Sequence, residues 1–129
     1  MTTTTTTTTF AGARALVTGA TGFLGANLVR GLLDAGAEVH VILRATSDRW
    51  RLADVIDRVQ LHEADLTDLE GLQRAVDRAA PQLVLHSAAT HGHPTTRDSR
   101  QLHLRESVLG SVNLFECLRE RADCRTLHI

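Results

Sequence analysis

The sequence contains no tyrosine and no lysine, and all fourteen of its basic residues are arginine. A reaction that needs a tyrosine or lysine side chain to move a proton therefore cannot be completed by these 129 residues. The two cysteines, Cys117 and Cys124, form neither a disulfide framework nor a zinc-finger spacing, so a reducing, cytoplasmic setting is expected. No apolar run approaches the length of a membrane span, and a net charge of -1 indicates no general affinity for nucleic acid or an anionic membrane.

Eight consecutive threonines occupy residues 2–9 at the start of the chain. The run has no apolar face to bury, and it lacks the basic start and apolar core of a signal peptide. We therefore expect residues 1–10 to form a disordered tail. Residues 11–129 are enough for one domain, and a hydrophobic content of 43% is sufficient to build its core.

Three glycines follow a short apolar run at residues 15–17 and precede a helical pattern of apolar residues. Gly19 can adopt the backbone angles of a tight turn, and Gly22 has no side chain to keep a pyrophosphate away from the backbone. Gly25 would allow the helix to lie close to the strand. The succession of strand, glycine turn and helix is typical of a dinucleotide-binding site.

The first turn of that helix offers hydrogen-bond donors for an anion. Backbone N–H groups near Phe23 and Leu24 have no partner within the helix, and they point towards an anion at its N-terminus. The helix dipole adds to the attraction. The alternative interpretation is an ordinary strand-to-helix turn without a ligand.

Strands and helices alternate along the rest of the chain, which predicts an α/β fold with a parallel sheet. Right-handed crossovers give a Rossmann-like doubly wound sheet with strand order 3-2-1-4-5 and a ligand crevice between the carboxyl ends of strands 1 and 4. The chain stops at the fifth strand, so we expect the domain to be truncated there. The predicted strands cover residues 14–17, 38–43, 58–63, 83–85 and 126–129, and the predicted helices cover residues 22–35, a segment between Thr67 or Asp68 and Pro81, and residues 99–121.

The last helix carries apolar residues that step by three or four positions, which predicts one buried stripe. Gly110 would allow close packing of this helix on the sheet, and Asn113 is expected to be structural. The predicted stripe consists of Leu104, Val108, Val112, Phe115 and Leu118.

The segment at residues 18–25, Thr-Gly-Ala-Thr-Gly-Phe-Leu-Gly, resembles the TGxxGxxG signature of the extended short-chain dehydrogenase/reductase family. That family includes nucleotide-sugar epimerases, dehydratases and ketoreductases. Asp65-Leu66 resembles the family's Asp-Leu pair beside the adenine, and residues 86–89 resemble its segment at the end of strand 4. Residues 107–115 resemble the pattern N-x-x-G-T-x-N-L-L, with Ser107 in place of the first asparagine. The resulting predicted cofactor-binding residues are Gly19, Thr21, Gly22, Phe23, Leu24, Gly25, Arg44, Asp65, Leu66, Ala88, Ala89 and Ser107.

The end of strand 2 predicts which dinucleotide is preferred. An acid there would accept a hydrogen bond from the ribose 2′-hydroxyl of NAD, but that position is Leu43. Arg44 follows and offers a planar fork of donors to the 2′-phosphate of NADP. We therefore expect a preference for NADP(H), with Arg49 or Arg51 as a second contact and NAD as the alternative cofactor. A solvated arginine cluster is the competing interpretation.

Three histidines near the end of strand 4 suggest other chemistry. His86 could serve as a catalytic base, but a packed, hydrogen-bonded strand residue is the expected role. His91 and His93 lie on a loop with no third ligand at useful spacing, so no metal site is predicted.

The resemblance also implies what these residues cannot do. Relatives carry a catalytic serine or threonine after strand 5 and a Tyr-x-x-x-Lys pair on the following helix, and the sequence contains no such pair. We therefore predict no catalytic residue and interpret the chain as the NAD(P)-binding portion of an oxidoreductase, epimerase or dehydratase that acts on a nucleotide sugar, with helix-mediated homodimerisation by analogy. The alternatives are a non-catalytic NADP(H)-binding or interaction module, and a decayed gene product.

Overall fold

The computed structural model describes residues 10–88 and 95–129. Five strands and three α-helices alternate along these residues, with 3-10 turns at Trp50–Leu52 and Ile56–Arg58. Of the predicted tail, only Phe10 is described, in a turn that its carbonyl closes by accepting from Ala13 N–H at 3.0 Å. The elements in chain order are β1 (Arg14–Thr18), α1 (Phe23–Asp34), β2 (Glu38–Leu43), β3 (Gln60–Glu63), α2 (Leu69–Ala79), β4 (Leu83–His86), α3 (Arg97–Leu118) and β5 (Arg125–His128).

The five strands form one sheet in the order β3-β2-β1-β4-β5, and every neighbouring pair is parallel. Val17 in β1 lies opposite both Val41 in β2 and Leu85 in β4, so the three central strands end at the same edge. The predicted Rossmann-like order is confirmed. Because all the strands point the same way, their carboxyl ends meet at one edge, where ligands of this fold bind.

The sheet separates two apolar layers, as expected for central parallel strands covered on both faces. Residues with odd numbers in the central strands, such as Val17 and Val41, pack on the α1 side. Leu16, Ile42 and Val84 point the other way and pack with α2 and α3. The near-continuous apolar sequences of β1 and β2 follow from this double coverage.

The helix boundaries follow from local capping. Asp68 accepts from Gly71 N–H at 3.2 Å at the start of α2, and Ala80, with a φ of 42°, ends that helix just before Pro81. Thr96 Oγ1 accepts from Ser99 N–H at 3.1 Å, so α3 begins at Arg97, two residues before the predicted start. Strand β3 is shorter than predicted because a 3-10 turn takes residues 56–58.

The predicted buried stripe of α3 is wrong for four of its five residues. Leu118 is buried, whereas Leu104, Val108, Val112 and Phe115 are 63%, 52%, 56% and 42% exposed. The side that faces the core carries the buried residues Gly110, Asn113, Leu114, Cys117 and Leu118.

Two short-range contacts explain the orientation of α3. Asn113 donates its side-chain N–H to the carbonyl of Leu66 at 2.8 Å, and this bond satisfies a polar group in the loop after β3. A Cβ on Gly110 would lie 3.0 Å from the Cβ of Leu66, so the absence of a side chain there allows the helix to approach closely. The hydrogen bond and the close approach therefore decide which side of α3 faces inward.

Among the described residues, no helix is long and apolar enough to cross a membrane.

Candidate functional site

A cleft of about 330 Å³ lies at the carboxyl edge of the sheet and is walled on one side by α3. Eight of the twelve predicted cofactor-binding residues line it: Gly19, Thr21, Gly22, Arg44, Asp65, Leu66, Ala88 and Ser107. Phe23, Leu24 and Gly25 do not line the cleft, and Ala89 lies outside the described residues, as do His91 and His93. The fold therefore brings most of the predicted residues together at one site.

The glycine loop between β1 and α1 depends on the absence of side chains. Gly19 has a φ of +70°, and a Cβ there would lie 2.6 Å from the carbonyl carbon of Ser87. At Gly25 a Cβ would lie 1.9 Å from the carbonyl oxygen of Gly19. Neither position can accept a larger residue without movement of backbone, so the strand, loop and helix are held in close contact.

The N-terminus of α1 differs from those of the other two described helices. Gly22 precedes α1 without a side-chain cap hydrogen bond, and the first turn contains no acid. By contrast, Asp68 caps α2 and Thr96 caps α3. The helix that begins at the cleft is thus the one whose N–H groups are not capped by a side chain, which is the arrangement that suits an anion.

Phe23 and Leu24 expose 77% and 46% of their surfaces, and their side chains do not line the cleft. Any contribution of these two residues to a ligand would come from the backbone of the first helical turn. The role that the sequence predicts for their N–H groups stays a prediction.

Arg44 comes directly after β2, and its backbone N–H donates to Ser47 Oγ at 3.1 Å. Its Nη1 atom lies 3.9 Å from Oε1 of Glu106 on α3. Among the described residues that line the cleft, Arg44 carries the permanent positive charge, while Asp65 and Glu106 carry carboxylates. The lining of the cleft therefore sets this cation beside two acids.

Asp65 is fixed at the end of β3 by its neighbour. Its Oδ1 accepts from the backbone N–H and from the hydroxyl of Thr67, both at 2.8 Å. The backbone hydrogen bond is the main cause that lowers the pKa of Asp65, and the hydroxyl and the Arg44 charge act in the same direction. Asp65 is therefore an oriented carboxylate near neutral pH.

His86, at the end of β4, is fully buried and uses both ring nitrogens. Its Nδ1 lies 2.6 Å from Thr18 Oγ1, and its Nε2 lies 2.8 Å from Ser111 Oγ. Because the Ser111 hydroxyl donates to the Ser107 carbonyl at 2.8 Å, it must accept at His86, which places the imidazole proton on Nε2. Nδ1 then accepts from the Thr18 hydroxyl.

This network is linked to the cleft, since Ala88 N–H donates to Thr18 Oγ1 at 3.3 Å. Burial lowers the pKa of His86 to about 4, and nearby His128 acts in the same direction. A neutral histidine with both nitrogens engaged is a packed strand residue, as expected, and it joins β1, β4 and α3 beneath the site.

Arg49 and Arg51 are the two residues predicted as alternatives for a second phosphate contact, and Arg49 does not line the cleft. Arg51 contacts the glycine loop instead. Its Nη1 donates to the carbonyl of Thr21 at 3.2 Å, and its guanidinium stacks over Trp50 at 4.4 Å from the ring centroid. It does not line the cleft.

Other cleft residues were missed by sequence reasoning as ligand contacts. Glu106 has the clearest consequence because it is charged. The available signal was its position immediately before Ser107, the first residue of the segment with the family resemblance. Within the described part of the chain, no group of three or more histidine, cysteine or acidic side chains could hold a metal ion.

The NAD dependent epimerase/dehydratase family matches the chain over residues 15–129, and the protein belongs to this family. A dTDP-glucose 4,6-dehydratase of Mycobacterium tuberculosis is 33% identical over 120 residues, a match that covers 90% of this chain and 35% of the relative. The chain thus spans about a third of the length of the curated relatives that it matches first.

Solved structures give the same assignment. The enzyme WbmG of Bordetella bronchiseptica, crystallised with NAD and UDP, has a TM-score of 0.76 and 33% identity, covering 92% of this chain and 37% of its own. The UDP-glucose 4-epimerase of Thermus thermophilus, in complex with NAD, has a TM-score of 0.75 and 35% identity, covering 88% and 36%. The fold and the family of this chain are therefore those of NAD-binding enzymes.

Proposed function

We propose that residues 11–129 form the NADP(H)-binding part of an oxidoreductase, epimerase or dehydratase that acts on a nucleotide sugar. The observation that carries the proposal is the uncapped N-terminus of α1, which meets a glycine loop and a cleft at the carboxyl edge of the sheet. The pyrophosphate of a dinucleotide would accept from the N–H groups of Phe23 and Leu24, where the helix dipole favours an anion.

The two ends of the cofactor follow from that placement. Asp65 and Leu66 would hold the adenine, with the oriented carboxylate accepting from the adenine amine. On the nicotinamide side, Ala88 and Ala89 are small enough to let the ribose pass close to the backbone, and Ser107 would offer a hydroxyl where relatives have asparagine. Thr21 and Gly22 would line the path between the two ends.

The preference for NADP(H) depends on Arg44. Leu43 is 4% exposed and has no acceptor for a ribose hydroxyl, whereas the Arg44 side chain reaches the cleft. A guanidinium binds a phosphate through a planar fork of donors. The neighbours WbmG and the Thermus epimerase were crystallised with NAD, so NAD is the alternative cofactor.

When bound, the nicotinamide would exchange a hydride with the sugar, and the residues of this chain would bind and orient it. The sequence supplies neither the tyrosine nor the lysine that would move the accompanying proton. We therefore propose that the chain alone binds cofactor without turnover. The UDP held by WbmG supports a nucleotide sugar as the substrate class of the whole protein.

The test is a calorimetric titration of the purified chain with NADPH and NADH, for the wild type and for Arg44→Ala. We expect NADPH to bind more tightly than NADH, and Arg44→Ala to weaken NADPH binding about tenfold or more because a charge-assisted contact is lost. NADH binding should change by less than about twofold. Arg74→Ala, an exposed arginine of α2 away from the cleft, is the matched control.

Equal binding of the two cofactors by the wild type, with no response to Arg44→Ala, would refute the NADP(H) assignment. Absence of binding by a folded chain would refute the site itself.

A non-catalytic NADP(H)-binding or interaction module is the second candidate. The exposed apolar face of α3 favours it, and so does β5, which pairs with one strand among the described residues, because both are surfaces that another protein could cover. Hydride turnover by a protein that contains this chain would count against it.

A further inference from the structure

Glu106 extends from α3 towards the end of β2 across the cleft. Its side chain is 29% exposed, and its Oε1 lies 3.9 Å from Nη1 of Arg44, whose side chain is 57% exposed. Both residues line the cleft, so the ion pair connects its opposite walls. An anionic group that approaches Arg44 therefore meets a carboxylate that is already there.

The second acid of the cleft does not play the same part. Asp65 is held by two hydrogen bonds from Thr67 and so has a fixed orientation. Glu106 is held on the cleft side by its ion pair with Arg44. It is thus the carboxylate whose interaction with Arg44 a 2′-phosphate would have to replace.

We propose that Glu106 is a specificity-determining residue that restrains the preference for NADP(H). The inference rests on the proposed function, and in particular on Arg44 as the contact to the 2′-phosphate. With NADPH bound, the Glu106 carboxylate lies near a phosphate of the same sign and competes with it for Arg44. With NADH bound, the ion pair is kept, and the carboxylate offers the acceptor for a ribose hydroxyl that Leu43 lacks.

The size of the effect is limited by solvent. Two charges a few ångströms apart at a partly exposed site interact much less strongly than in a protein interior, and salt screens them further. Measured coupling at exposed pairs is small. We therefore expect removal of the Glu106 charge to change the ratio of NADPH to NADH affinity by about twofold to fivefold at low ionic strength.

The experiment measures NADPH and NADH affinity for Glu106→Gln by calorimetry at low and high salt. We expect NADPH to bind this variant about twofold to fivefold more tightly than it binds the wild type, and NADH to bind equally or slightly less tightly. The gain in NADPH affinity should shrink at high salt. The matched control is Glu116→Gln, which removes a glutamate of the same helix that pairs with Arg119 at 3.5 Å away from the cleft. Thermal melts of both variants check that they remain folded.

The outcomes separate this inference from the proposed function. A raised affinity ratio in Glu106→Gln but not in Glu116→Gln supports the role of Glu106. An unchanged ratio in Glu106→Gln, together with a lowered ratio in Arg44→Ala, would leave the NADP(H) assignment standing and overturn the role of Glu106. A ratio that does not respond to Arg44→Ala overturns the NADP(H) assignment and this inference with it.

Discussion

Helices α1 and α3 both carry apolar side chains at helical spacing, but α1 buries one apolar face on the sheet, whereas α3 leaves most of its apolar side chains exposed. Gly25, Ala26, Val29 and Leu32 of α1 are buried on the sheet. On α3 the side chains of Leu104, Val108, Val112 and Phe115 are exposed, and the opposite side of the helix faces inward.

The difference lies in where the small and polar residues fall. In α1 the glycine that permits close approach, Gly25, belongs to the same face as the apolar stripe, so both features select one orientation. In α3, Gly110 and Asn113 lie roughly opposite the strongest apolar stripe at 3.6 residues per turn. The close approach at Gly110 and the buried hydrogen bond of Asn113 therefore decide which side of α3 packs on the core, and the apolar stripe stays exposed. An apolar stripe on a helix thus does not by itself show which side of the helix contacts the core.

The largest expected effect would break the packing of α1. Gly25→Ala puts a Cβ 1.9 Å from the Gly19 carbonyl oxygen, so the backbone of the glycine loop must move. We expect a loss of about 4 kcal/mol or more in the free energy of unfolding, measured by urea denaturation.

The control lies on the same helix. A Cβ at Gly31 would meet nothing within 4 Å, so Gly31→Ala should stabilise the protein by about 0.5 to 1 kcal/mol through helix propensity. Equal effects of the two substitutions would contradict the close approach of α1 to β1.

The next effect tests the orientation of α3 with one residue type. Leu114 is fully buried in the apolar cluster that also contains Leu16, Leu72 and Val84, so Leu114→Ala should cost about 3 kcal/mol in the free energy of unfolding. Leu104 is 63% exposed, and Leu104→Ala should change the free energy of unfolding by less than about 0.5 kcal/mol. Chemical denaturation measures both, and a larger loss at Leu104 would mean that α3 is turned the other way.

A comparable effect concerns His86 at the end of β4, whose ring contacts the rings of His128 and Phe115. Burial, with a lesser contribution from His128, lowers the pKa of His86 from 6.5 to about 4. Above pH 6.5 both the folded and the unfolded chain hold a neutral His86, so its contribution to stability is fully present. Between pH 6.5 and pH 4 the unfolded chain takes up a proton that the folded chain does not, and the free energy of unfolding falls by about 3 kcal/mol.

The pKa of His62 is also lowered, mainly because of burial. The dependence of the free energy of unfolding on pH therefore contains contributions from both histidines. An NMR titration of the imidazole resonances isolates His86. Protonation of His86 near pH 6.5 would show that water reaches its ring and that the hydrogen bonds to Thr18 and Ser111 do not hold it in the neutral form.

Sequence patterns anticipated the central part of the molecule better than its periphery. Strand β2 has its predicted limits, and the strand order follows from the alternation of elements, because crossover handedness leaves few topologies for βαβ units. A cap at Thr67 or Asp68 was also expected from the sequence, and Asp68 is the residue that caps α2. These features depend on neighbours in sequence.

Features that depend on distant residues were not predictable in the same way. The inward face of α3 depends on the Leu66 carbonyl, and the position of Glu106 opposite Arg44 depends on how the whole helix is turned. The periodicity of apolar residues along α3 gives no information about either contact. The role of His86 as a packed, hydrogen-bonded strand residue was expected, although its partners Thr18 and Ser111 were not.

The uncapped start of α1 has a consequence for how much of the protein is folded. A helix without a side-chain cap lacks roughly 1 kcal/mol of stabilisation that the caps of α2 and α3 provide. If a dinucleotide supplies the missing acceptors, it acts as the cap. The folded fraction of the protein then rises with the fraction of sites that hold cofactor. At a hundred times the Kd such a ligand adds about 2.7 kcal/mol to the free energy of unfolding. The supply of cofactor would then govern the lifetime of the chain against proteolysis as well as its state of ligation.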